Sequence, residues 1–335
     1  MAVGNQQAGI INSVVNAGRT ESDRFKADVL LPSTGNSNMK TLLLALLPTL
    51  TMYAAEPYTV ESNVVYGMYS GTALLLDVYK PARPNGYGIV FISGSGWTSP
   101  LAYGAPELKS NSQSKLYADA LAKAGYTVFP VNHRAVPRFR YPAPVEDVQR
   151  AVRFVRHNAA RFGIRADRIG ASGGSSGGHL VSMLGTLDGK GKPSDPDPIE
   201  RESAKVQCVV ARAAPIDFLT GDNGNFILGM AKPKEGMEDT EEYRVYKEAS
   251  PVNYVTPDDP PFLLMHGDKD EQVAFSQSIE MEAKLKAAGV PVKLLIVPGA
   301  GHGPTFSGAV NPPDYMGEMV RWFGAHLIKI GRAHV

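Results

Sequence analysis

The sequence predicts an α/β fold, a mostly parallel sheet with helices on both faces. Two observations carry this: short apolar runs bounded by turn residues, and amphipathic stretches of helical period between them. A third is that the richest glycine loops follow such runs, where open α/β sheets place their sites.

The alternation begins near Pro57. Val64–Tyr66 and Leu74–Tyr79 read as an antiparallel pair around Ser70-Gly71. Gly88–Ile92 and Tyr126–Val131 are strands, with a helix near Ser112–Ala124 between them. Val145, Val148, Val152 and Val155 recur at three- and four-residue steps, so Val145–Phe162 is expected to be one amphipathic helix. Glu146 and Asp147 in its first turn suit the positive end of the helix dipole. Arg168–Ser172, Val206–Ala211, Phe262–Met265 and Val292–Ile296 complete the strands, and helices near Ser276–Ala288 and Tyr315–Leu327 fill the alternation. Residues 216–253 are too long and mixed for a simple connection, and a small lid is expected there. The unit from 56 to 329 reads as one domain.

The ends read as additions. Met39-Lys40, the apolar run Thr41–Leu50 and the small residues near Ala55 make a signal-peptide pattern over 39–55. That pattern predicts a secreted or periplasmic protein; a buried N-terminal helix is the alternative, and N-terminal sequencing of the natural product decides between them. Residues 1–38 are then an upstream extension and 330–335 a non-native tail. The 335 residues carry a net charge of +1, which gives no electrostatic reason to expect nucleic acid or an anionic membrane as partner. The apolar run is shorter than the ~20 residues that span a bilayer. Cys208 is the single cysteine, so an intramolecular disulfide is excluded.

After the strand Arg168–Ser172 the chain reads Gly173-Gly174-Ser175-Ser176-Gly177-Gly178-His179. A G-x-S-x-G tract between strand and helix is a nucleophile elbow, a tight turn that lifts a serine above the sheet. Ser172, Ser175 and Ser176 all satisfy the pattern. Ser172 would shorten the strand and Ser176 would intrude on the following helix, whereas Ser175 fits both sides. No lysine follows the glycines, which excludes a Walker-type phosphate loop.

A serine hydroxyl needs an adjacent imidazole to take its proton and a carboxylate to orient that imidazole. His302, between glycines on the loop after the last strand, follows the serine in chain order and is free to reach it. His133 precedes the serine, and His157 and His326 fall in expected helices. His179 and His266 read as structural histidines beside the site. Asp268, Asp270 and Glu271, on the loop after Phe262–Met265, all compete for the role of acid.

From Gly88 to about Gly303 the chain resembles α/β-hydrolase esterases of the hormone-sensitive-lipase and feruloyl/acetylxylan-esterase groups. The matching pieces include Ser93-Gly94-Ser95-Gly96-Trp97, Tyr141–Asp147, Asp167–Gly170, the elbow, His266–Val273 and Gly301-His302, in the family's order. The resemblance implies the α/β-hydrolase fold and a triad of Ser175, Asp270 and His302. It also implies an oxyanion hole from the N–H groups of Gly94, Ser95 and Ser176. The family segment usually reads His-Gly-Gly-Gly-Trp; Ser93 and Ser95 replace the histidine and the middle glycine.

The expected reaction is ester hydrolysis through an acyl-enzyme, without metal or organic cofactor. The expected substrates are short-chain acyl, acetyl or feruloyl esters, including those on carbohydrate. Trp97 and Tyr103 are candidates for substrate contacts, with plain packing as the alternative. Two rivals share the fold: a serine peptidase of the prolyl-oligopeptidase type, and a non-catalytic binding protein.

Overall fold

The computed structural model describes residues 56–328. The signal-like segment, the extension before it and the last residues lie outside them. β1 (Tyr58–Tyr69) and β2 (Thr72–Pro81) form an antiparallel hairpin. Ser70 and Gly71 at its tip have φ of 47° and 80°, which suits the right-handed twist of the two strands. Both strands run past the expected apolar segments because they stay paired along their length, from Tyr58 opposite Pro81 to Tyr69 opposite Thr72. β3 (Gly88–Ile92) is followed by α1 (Ser112–Lys123) and β4 (Thr127–Pro130).

The expected Val145–Phe162 helix is instead two, α2 (Ala143–His157) and α3 (Ala159–Phe162). Asn158 lies between them, and its side-chain Nδ2–H and backbone N–H both donate to the Phe154 carbonyl, at 2.9 and 3.0 Å. The remaining elements are β5 (Ile169–Gly174), α4 (Ser176–Thr186), β6 (Cys208–Arg212), α5 (Gly224–Leu228), α6 (Glu241–Glu248), β7 (Phe262–Gly267), α7 (Ser276–Ala287), β8 (Val292–Val297) and α8 (Tyr315–Phe323).

The eight strands form one sheet in the order β1-β2-β4-β3-β5-β6-β7-β8, parallel from β4 through β8. This is the α/β-hydrolase fold. Strand period decides the layers. Val90 and Ile92 of β3 face a core shared with Val148 and Val152 of α2 and Leu180 of α4. Ile89 and Phe91 face the opposite core, with Tyr117 and Leu121 of α1 and Phe323 of α8. After β3 the chain runs outward to β4 and then returns to the other side as β5. That reversal opens a crevice at the carboxyl ends of β3 and β5, where ligand sites of such sheets lie.

The stretch 216–253 is packed rather than poised above the sheet. Phe218, Ile227, Leu228, Tyr246, Ala249 and Val252 are buried in the same core as α2 and α4. The length of this connection is explained by the apolar surface it buries.

Candidate active site

Ser175 sits between β5 and α4 with φ 54° and ψ −125°, a conformation that costs a non-glycine residue of order 1–3 kcal/mol. The Ser175 N–H donates to the Arg212 carbonyl at 2.8 Å, tying the turn to β6. The close approach of the two sides requires glycine. A Cβ on Gly177 would collide with the Ile92 carbonyl oxygen, and one on Gly173 would lie 2.6 Å from the Gly177 carbonyl carbon. These two glycines flank Ser175 symmetrically, which fixes the register of the elbow. Ser172 is buried in β5 with its Oγ against Met319 Sδ, and Ser176 begins α4.

His302, on the loop after β8, meets Ser175 from above, with Nε2 2.9 Å from Ser175 Oγ. Its Nδ1–H donates to Asp270 Oδ2 at 2.7 Å. The second oxygen, Asp270 Oδ1, accepts the N–H groups of Gln272 and Val273 at 2.9 Å each. His266 Nε2–H faces the Val273 carbonyl at 3.0 Å and Asp270 Oδ2 at 3.3 Å. Burial alone would push the Asp270 carboxyl up, but hydrogen bonds from His266, His302 and the Val273 amide hold it well below the usual carboxylate range. Asp268 is turned to the neighbouring loop, where it accepts the Gly299 N–H at 2.7 Å, and Glu271 is exposed. The arrangement can take a proton from a serine hydroxyl and hold the resulting imidazolium against a fixed anion.

A cavity of about 310 Å³ opens over these residues. Gly94, Ser95 and Gly96 line one side; His302, Gly303 and Pro304 line the other. Gly94 cannot carry a side chain, since a Cβ there would come within 2.8 Å of the Gly174 carbonyl oxygen. At rest its N–H donates to Gln113 Oε1, and the Ser95 N–H donates to Ser176 Oγ at 2.9 Å. Two of the expected oxyanion donors therefore already have side-chain acceptors. Ser93 ties the loop down: its O–H donates to the Leu108 carbonyl and its Oγ accepts from Asn111 Nδ2–H, both at 3.0 Å. Among the described residues no cluster of three or more His, Cys, Asp or Glu side chains is placed to hold a metal ion.

The sequence pattern of the BD-FAE family matches residues 76–285. The chain belongs to that family. The BD-FAE match spans Ser175 and Asp270 and ends before His302. It is 27% identical over 253 residues to the esterase LipC of Mycobacterium tuberculosis, covering 73% of this chain and 60% of LipC. This BD-FAE chain spans roughly half to three-fifths of the length of LipC and three further curated esterases that it matches. Among solved structures, a truncated carbohydrate esterase from gut microbiota superposes with a TM-score of 0.68 at 30% identity, covering 82% of this chain and 99% of that one. An acetyl ester-xyloside bifunctional hydrolase from Caldicellulosiruptor lactoaceticus gives 0.66 at 25% identity, covering 79% and 96%.

Neither expected substrate contact lines the cavity of this BD-FAE protein. Trp97 is only 2% exposed, with φ 57°, and its ring packs edge-on against His179 and Phe218. It is a packing residue. Tyr103 is fully exposed on its loop. None of the cavity's lining residues comes from 216–253, although Asn223 Nδ2–H donates to the carbonyl of lining residue Gln272 at 3.2 Å. Two residues that sequence reasoning missed do line it: Gln113, from the first turn of α1, and Arg212, from the end of β6. The only signal for Arg212 was a charged residue ending the apolar run Cys208–Ala211. Gln113 gave none.

His179 supports the elbow from below. Its Nδ1 accepts the Trp97 indole N–H at 3.1 Å, and its Nε2–H donates to the Ala249 carbonyl at 2.8 Å. A tryptophan N–H can only donate, so this geometry requires neutral imidazole. Burial accordingly lowers the His179 pKa to about 4. An unfolded histidine takes its proton below about pH 6.5, but the folded one resists until about 4, so stability must fall as pH drops through that window. Between pH 7.5 and pH 5.0 the expected loss from this residue is roughly 2 kcal/mol. Buried His133, also lowered by desolvation, acts in the same direction. Urea unfolding at the two pH values measures it, and equal stabilities would refute the neutral, locked His179.

Proposed function

We propose that this chain is a serine carboxylic-ester hydrolase that works through an acyl-enzyme on short acyl esters, acetyl groups on carbohydrate among them. The observation that carries the reading is the continuous relay from Ser175 Oγ through His302 to Asp270, at 2.9 and 2.7 Å, opening into a cavity. His302 takes the Ser175 proton as the hydroxyl attacks the ester carbonyl, then delivers it to the leaving alcohol. Water repeats the cycle on the acyl-enzyme. The substrate carbonyl oxygen exchanges for the Gln113 and Ser176 acceptors at the Gly94 and Ser95 N–H groups. The Ser176 N–H, at the start of α4, completes the oxyanion site. The names of the related carbohydrate esterase and acetyl ester-xyloside hydrolase support the substrate class.

Hydrolysis of p-nitrophenyl acetate and butyrate, a dipeptide anilide in parallel, and labelling by a serine-directed phosphonate test this reading. The expected result is ester turnover well above anilide turnover, with a single adduct on Ser175. Faster anilide cleavage would favour a peptidase, and neither turnover nor adduct would leave only a binding role on this fold.

A further inference from the structure

Arg212 is a buried cation that the hydrolytic relay does not use. It is 2% exposed and forms no ion pair among the described residues. Its Nη1–H donates to the Gly303 carbonyl at 2.6 Å and the guanidinium also meets the neutral Tyr117 hydroxyl, while its Nε has no partner. The guanidinium lies 5.7 Å from the Phe306 ring centroid, and burial pulls its pKa down from the ordinary arginine value. Uncompensated buried charge is costly and is normally paired. Yet the twelve residues lining the catalytic cavity, Arg212 among them, include no Asp or Glu. Asp270, whose charge Arg212 feels, already receives His266 and His302.

A second donor converges on the same place. A Cβ built on Gly174, the residue before the nucleophile, would collide with Arg212 Nη2 and lie 2.7 Å from Gln113 Nε2. At rest the Gln113 orientation is fixed chemically, because its other end accepts the Gly94 N–H and must therefore be the oxygen. Ser95, whose buried Oγ has no partner, lines the same cavity. A guanidinium and an amide N–H, both lying against Gly174 and lining the cavity beside the attacking hydroxyl, can form a cradle for an oxyanion with two oxygens.

We propose that the cavity selects esters carrying a second, ionised carboxylate, which Arg212 and Gln113 bind while Ser175 attacks the ester carbonyl. Arg212 is then a specificity residue, and this inference rests on the hydrolase reading above.

The carboxylate can sit on either side of the ester, so two substrate pairs separate the sources. Mono-p-nitrophenyl glutarate against p-nitrophenyl butyrate places it on the acyl side. 4-Acetoxybenzoate against 4-acetoxybenzamide places it on the alcohol side. In the full chain, kcat/KM is expected to favour the anionic member of one pair by about tenfold or more, the scale of a hydrogen bond to a charged group. Arg212→Gln should abolish that ratio, and Arg212→Lys should restore part of it. Preference for the neutral member in both pairs, or a ratio unchanged in Arg212→Gln, would overturn the proposal. A wild-type measurement covers the case where these variants fail to fold: glutarate should inhibit competitively and glutaramide should not, and equal inhibition would count against the site. Calorimetry of glutarate with Ser175→Ala reads the site without turnover. Glutarate binding by a chain that hydrolyses no ester would keep the anion site and reject the hydrolase reading. Ester turnover without glutarate binding would do the reverse.

Discussion

Ser175→Ala is expected to lower kcat for p-nitrophenyl acetate by about 10⁴-fold or more, with a small residual rate from the oxyanion donors and binding alone. In the proposed reaction this hydroxyl forms the acyl-enzyme, and neither neighbouring serine is placed to substitute for it. Ser172 Oγ is buried against Met319, and Ser176 Oγ is engaged by the Ser95 N–H. Ser172→Ala should therefore stay within a few-fold of the parent. Ser176→Ala removes the resting acceptor of an oxyanion donor and should act on KM before kcat. A second readout separates chemistry from folding. Ser175 holds φ 54°, which alanine must hold too, whereas glycine adopts it freely. Ser175→Gly should match Ser175→Ala in lost activity but exceed it in stability by about 1 kcal/mol, measured by urea unfolding. Parental activity in Ser175→Ala would move the nucleophile to another serine and remove the basis for the hydrolase reading.

What could be read in the sequence followed from local constraints. The elbow was legible because a glycine-rich tract joins a strand to a helix, and the lengths of those two elements favoured Ser175 over Ser172 and Ser176. The close backbone approaches at Gly173 and Gly177 give the physical reason for the glycines. The histidine and acid loops were legible because parallel strands leave their carboxyl ends on one edge, so chain order and glycine-rich loops narrow the choice. Among Asp268, Asp270 and Glu271, however, only family resemblance chose. What separates them is whether the carboxylate faces His266 and His302 or the Gly299 amide, a matter of side-chain direction within one turn.

Tertiary placement was not legible. Gln113 reaches the site only because α1 docks beside the loop that carries Gly94, and nothing within Ser112–Lys123 announces that contact. Arg212 looked like the polar end of a strand. Trp97 was ambiguous because an aromatic side chain beside a glycine loop serves a pocket or a core equally well. Its positive φ and its bond to His179 turned it inward. The 216–253 stretch was hard to read for a related reason. Its apolar residues lack a simple period because short helices and turns each bury a different face, so length alone suggested a cover over the site.

Asp270→Asn tests the part of the site where sequence reasoning left the choice open, and its expected cost is about 10⁴-fold in kcat. Asp270 Oδ1 accepts two backbone N–H groups, so the asparagine oxygen will settle there and its amide nitrogen will face His302. An amide N–H cannot accept from Nδ1–H. The imidazole must then carry its hydrogen on Nε2, where it points at Ser175 Oγ and leaves no lone pair to take the serine proton. The fold should tolerate the change at neutral pH, because the backbone bonds survive. At low pH the variant should differ from the parent in a definite direction. A carboxyl held below its unfolded range stabilises the parent above about pH 4, and that contribution fades as pH falls toward the depressed folded value. Asparagine has no such dependence. Asp268→Asn and Glu271→Gln are the controls: the first keeps an oxygen that can accept the Gly299 amide and the second changes an exposed side chain, so both should keep kcat within a few-fold. Steady-state kinetics on p-nitrophenyl acetate across the three variants decides the assignment. Near-parental kcat in Asp270→Asn, with the loss appearing in either control, would transfer the acid to that residue and require the loop to rearrange before the site can work.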